Sequence, residues 1–122
     1  MVGFVRQPSG AVGYGIPLET VALVLEQGGS RVVLCGTEIV GIAEPEVLGV
    51  IERVTAATGA DADGVLLNWS HTHLAPTGGE LHGSLLGEPS PEVLASTEAF
   101  TRVVQDKIVS ACRLAAERLE PA

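Results

Sequence analysis

The sequence predicts an α/β fold: a small mixed sheet, built from an N-terminal hairpin and a parallel βαβ unit, with helices packed on it within a larger layered α/β domain. Three observations carry this. Two runs of β-branched and aliphatic residues flank Gly28-Gly29-Ser30, the turn of an antiparallel pair. Apolar residues three and four apart, Val47, Val50, Ile51 and Val54, mark a helix between the second run and a third at Val65–Ser70. A long helical pattern then follows from Pro91 towards Leu119.

Taken in order, each element has a local cause. Val2 to Val5 gives a short strand. Gln7-Pro8-Ser9-Gly10 and Gly13-Tyr14-Gly15-Ile16-Pro17 give an ordered loop rich in turn residues. Leu18–Leu25 and Arg31–Thr37 are the hairpin strands. Glu44-Pro45-Glu46 opens a helix, because proline fits a first turn and carboxylates favour the positive end of the helix dipole; Gly59 ends it. Asp61-Ala62-Asp63-Gly64 is a turn, and Val65-Leu66-Leu67-Asn68-Trp69-Ser70 suits a buried strand. The strand, helix, strand order makes Arg31–Thr37 and Val65–Trp69 parallel neighbours joined by a right-handed crossover. Ser70 to Pro91 carries four glycines and three prolines, and a loop of that length inside a domain is often functional. Ser90 caps the last helix, whose apolar stripe reads Phe100, Val104, Ile108, Ala111, Ala115 and Leu119.

Composition narrows the function. Residues 1–122 form a single domain with 46% hydrophobic residues, enough for a core, and 18% charged residues, too few for a disordered chain. Seven basic against 15 acidic residues give a net charge of −8, the wrong sign for gripping phosphates, so no nucleic acid partner is expected. The longest apolar run, near Val21–Leu25, is far short of the roughly 20 residues of a transmembrane helix, so no transmembrane segment is expected either. Met1 to Gly15 lacks the apolar stretch of a secretory signal, so the expected location is cytoplasmic. In that reducing compartment Cys35, on a strand, and Cys112, on a helix, are expected to be buried free thiols.

All three histidines lie between positions 71 and 82. His71 and His73 follow a buried strand, where α/β sheets gather ligand-binding residues. In extended backbone their side chains share one side, and paired neutral imidazoles suit a divalent metal, above all zinc. His82 or Glu80 is a candidate for a further ligand, since a catalytic zinc takes three protein ligands and keeps one position for water. The plainer alternative, that the pair hydrogen-bonds loop backbone, stays open on the residues alone.

Gly13-Tyr14-Gly15-Ile16-Pro17-Leu18, the strands at Val21–Leu25 and Arg31–Leu34, and Asn68-Trp69-Ser70-His71-Thr72-His73-Leu74-Ala75-Pro76-Thr77-Gly78-Gly79 resemble the N-terminal part of the neutral/alkaline non-lysosomal ceramidase family. The resemblance covers most of the chain, and its most specific element is His-Thr-His followed by a small residue, proline and glycines. It implies a zinc-dependent amidase cleaving an N-acyl bond. By that resemblance His71 is a zinc ligand, and His73 is a catalytic neighbour that orients the carbonyl or transfers a proton. Thr72 and Ser70 supply supporting hydrogen bonds, while Gly78 and Gly79 let the loop backbone approach substrate. Glu38 is the nearest candidate for the acidic residue that follows the second hairpin strand in the family; a plain surface charge is the other reading of it.

Two departures carry information. Leu74-Ala75 stands where the family has Ser-Gly or Ser-Ala. The remaining family ligands, a histidine, a glutamate and a tyrosine, lie far downstream. The chain is therefore expected to be the N-terminal portion of a larger hydrolase domain, with exposed apolar surface where further strands pack and with a companion chain or downstream segment completing the site. The expected substrate is a small-molecule amide or lipid-like compound. The alternative is a non-catalytic assembly or binding module that needs a second chain. An amidohydrolase barrel also uses His-x-His after a strand, but an antiparallel hairpin argues against that architecture.

Overall fold

The computed structural model describes residues 15–76 and 90–122. Its elements are β1 (Thr20–Gln27), β2 (Ser30–Thr37), α1 (Glu44–Thr58), β3 (Val65–Trp69) and α2 (Pro91–Glu117), with a 3-10 turn at Ala62–Gly64. The expected strand at Val2–Val5 and the loop residues before Gly15 lie outside the described residues, as do 77–89 of the long loop.

The sheet order is β1-β2-β3. β1 pairs antiparallel with β2, and β2 pairs parallel with β3, as the spacing of the elements predicts. The hairpin loop is Gly28-Gly29, with φ of 61° and 84°. Two consecutive left-handed residues make the tight reversal whose twist suits a hairpin, and only glycine adopts it at little cost. That short loop carries the ladder up to Gln27 and Ser30, so β1 runs from Thr20 to Gln27 rather than from Leu18 to Leu25. β3 ends at Trp69, one residue before Ser70.

Both helices cover the same face of the sheet. Val24, Val33 and Cys35 from the strands form one core with Val50 and Val54 of α1 and Val104, Ile108 and Cys112 of α2. Each fully buried valine or isoleucine side chain contributes about 1.5–3 kcal/mol relative to exposure. The core-facing row of α2 is Thr101, Val104, Ile108 and Cys112, with Phe100 and Ala115 half-buried beside it. Leu119 lies beyond the helix and is exposed, so it does not extend the predicted stripe. Cys35 and Cys112 meet in this core as buried free thiols. The hydrogen bond with Cys35, reinforced by burial, pushes the Cys112 thiol up, so it stays protonated.

The ends of the helices match their local chemistry. Pro45 and the first-turn acids Glu44 and Glu46 open α1, and Gly59 closes it with φ 71°. The Arg31 guanidinium donates to the Thr58 carbonyl at that end and to Glu26 at 2.6 Å, tying the hairpin to the helix terminus. At the start of α2 the Ser90 hydroxyl accepts from the Val93 N–H at 3.4 Å and donates to the Glu92 carboxylate at 2.7 Å.

Among the described residues nothing covers the second face of the sheet. Its rows follow the register: Val21, Gly36 and Asn68; Leu23, Leu34 and Leu66; Leu25 and Val32. All six of the aliphatic side chains among them are exposed. Among the described residues no helix is long and apolar enough to cross a membrane.

Candidate metal and catalytic site

β2 and β3 are parallel, so their C-terminal residues, the paired Thr37 and Trp69, deliver two loops to the same end of the sheet. Such an end is where open α/β sheets bind ligands. The ladder continues briefly past the strands. Ser70 N–H donates to the Thr37 carbonyl and His71 N–H to the Ile39 carbonyl, both at 3.0 Å.

His71 is therefore held by both its backbone and its ring. Its Nδ1 lies 3.0 Å from the Val40 carbonyl oxygen. A carbonyl only accepts, so Nδ1 carries the proton, and the lone pair of the neutral ring sits on Nε2. This is the arrangement by which metal-binding histidines are oriented: one nitrogen tied to backbone, the other presented to the ion. His71 also has φ 57°, the one left-handed residue other than glycine among those described. Such a conformation costs on the order of 1–2 kcal/mol, and here two hydrogen bonds, from the His71 backbone N–H to the Ile39 carbonyl and from its ring to the Val40 carbonyl, hold it.

The expectation that both rings share a side because the backbone is extended does not hold. The strand stops at Trp69, His71 is left-handed, and His73 begins a turn. The rings come together by another route. Thr72 N–H donates to Ser70 Oγ at 3.4 Å, and Leu74 N–H donates to Thr72 Oγ1 at 3.3 Å. Two hydroxyl-closed turns in succession curl the chain so that the half-buried His73 ring stands 5.1 Å from that of His71, edge-on at 70°. Thr72 and Ser70 thus act on the loop backbone that positions the rings.

Two imidazoles bound to one tetrahedral ion through nitrogens at about 2.0–2.1 Å have their centroids about 5 Å apart. The observed spacing fits the ion that the resemblance implies. Glu38 stands at the same sheet end, exposed, with its carboxylate accepting the Glu19 backbone N–H at 3.0 Å, where it fastens the residues before β1. No group of three or more histidine, cysteine, aspartate or glutamate side chains gathers among the described residues. Gly78, Gly79, Glu80 and His82 lie outside them. What sequence reasoning missed is the Val40 carbonyl; the pointer to it was that the β2–α1 loop must leave the sheet beside the end of β3.

Comparison with protein families, with curated proteins and with solved structures gives no match.

Proposed function

We propose that this chain supplies the His71-Thr72-His73 part of a zinc-dependent, ceramidase-like hydrolase acting on an amide (N-acyl) bond, with a companion chain or downstream segment completing the site. The observation that carries the reading is the pairing of a backbone-anchored His71 with His73 at 5.1 Å, at the C-terminal end of parallel strands. His71 would hold the metal through Nε2. His73 would orient the scissile carbonyl or move a proton, work suited to imidazole near neutral pH. Zinc, when bound, polarises a carbonyl and brings a bound water to a pKa of about 7. A reducing compartment such as the cytosol agrees with the buried free thiols Cys35 and Cys112.

Cobalt(II), titrated into the purified chain and followed by its visible absorption, tests the metal reading. Saturable binding that competes with zinc and is lost in His71→Ala supports it. Equal zinc content in the complete assembly of wild type and of His71→Ala would sink it. The bare apolar face of the sheet favours a second reading, a non-catalytic assembly module. On that reading His71→Ala leaves both metal content and the activity of the full assembly unchanged.

A further inference from the structure

We infer that the bare face of the sheet is a self-association surface on which a second copy of this chain packs, sheet against sheet. Val21, Leu23, Leu25, Val32, Leu34 and Leu66 are 37–66% exposed and share this one face. Together they present on the order of 600 Å² of apolar surface, the upper end of what a monomer leaves open. Two copies in contact would bury roughly 1,200 Å², where the range of stable interfaces begins.

Charge leaves this face open to a second copy and disfavours the rest of the surface. The chain carries a net charge of −8, so two copies repel across most of their surface. The bare face is free of that penalty: its positions on the three strands are aliphatic, glycine, or the uncharged Gln27, Ser30 and Asn68. A neutral apolar face is self-complementary, as a two-fold contact requires.

Gly36 adds an independent observation. It sits within the central strand, and a Cβ built there meets nothing within 4 Å. Neither a left-handed φ nor packing within the described chain calls for glycine at this position. A glycine inside a strand often marks the close approach of another backbone. The hollow it leaves, between Val21 and Asn68, lies beside the Leu23-Leu34-Leu66 ridge. A two-fold axis through the face seats the ridge of one copy in the hollow of the other, at the roughly 10 Å spacing of stacked sheets.

Sedimentation of the full chain over a dilution series tests the inference. The wild type is expected to show a reversible dimer. Leu34→Glu and Gly36→Leu are each expected to weaken association by about 30-fold or more while keeping the wild-type circular dichroism. Val103→Lys, on the exposed side of α2, is expected to leave the dimer intact. A chain that stays monomeric at every concentration overturns the proposal, as would happen if another segment or protein covers the face. So does a dimer that persists in both face variants, the behaviour of copies paired edge to edge through β1 or β3.

Discussion

The ring of His71 and the carbonyl of Val40, 31 residues apart in the chain, form a 3.0 Å hydrogen bond that joins the loop after β2 to the loop after β3. One bond thereby fixes the tautomer of His71, supports its left-handed backbone and holds its Nε2 ready for a ligand. The relationship exists because the two strands are parallel and end in register.

Thr72→Val tests how the partner ring is positioned. The substitution removes the hydroxyl that accepts the Leu74 N–H, and with it the turn that sets His73 against His71. Metal affinity is expected to fall about 10–100-fold, with Thr72→Ser restoring it. Competition between cobalt and zinc provides the measurement. Unchanged affinity in Thr72→Val would show that the turn does not position the ring.

Ile108→Ala probes the packing of α2. Ile108 is fully buried among strand and helix residues, so truncation is expected to cost about 2–5 kcal/mol in urea denaturation. Leu74→Ala, at a largely exposed position, should stay within about 0.5 kcal/mol of wild type.

Two glycines should respond in opposite ways. A Cβ on Gly64 would lie 2.7 Å from the Arg31 carbonyl oxygen, a contact with backbone that cannot swing aside. Gly64→Ala is expected to cost about 1–3 kcal/mol. Gly36→Ala meets open space and should gain about 0.5–1 kcal/mol in dilute protein, because glycine is a poor strand residue. Paired denaturation curves would detect a reversal of this order.

Glu92 gives helix α2 a dependence on pH. The Ser90 hydroxyl bonded to its carboxylate, followed by the helix N-terminal backbone, holds the Glu92 pKa below the usual glutamate range. Because the folded value is depressed, its stabilising effect is present above that range and is lost as pH falls through the lowered folded value. Thermal midpoints of wild type and Glu92→Gln should differ slightly at neutral pH and converge in acid. A gap that widens in acid would contradict the sign. Ser90→Ala removes the cap itself and should cost about 1 kcal/mol.

Much of the fold was legible because the signals were local. Gly28-Gly29 demanded a tight reversal, Pro45 and Ser90 marked helix starts, and Gly59 marked a stop at φ 71°. The parallel pairing of β2 with β3 followed from a helix of 15 residues between them. The strand ends were not legible, because the register set by the two-residue loop, more than residue type, decided where β1 lies. The α2 stripe was read through Leu119 because its period allowed it, yet Cys112 and Thr101 occupy the buried row. Thr101, a polar residue, gave no hydrophobic signal, whereas Cys112 was expected in the core as a free thiol but not as part of the stripe. At the site, the nearness of His71 and His73 was anticipated but its cause was not. A left-handed residue and two hydroxyl-closed turns depend on a carbonyl from a different loop, which no local pattern contains.

The clasping of the hairpin by α2 bears on the order in which the molecule can form. β1 and β2 zip through a two-residue loop, yet Val24 and Cys35 find Val104, Ile108 and Cys112 only after the last helix exists. During synthesis the hairpin therefore leaves the ribosome with both faces wet, and α1 covers only part of the sheet before the later-emerging α2 completes the core. That interval, rather than the finished fold, is when the chain is most exposed to aggregation and most dependent on chaperones.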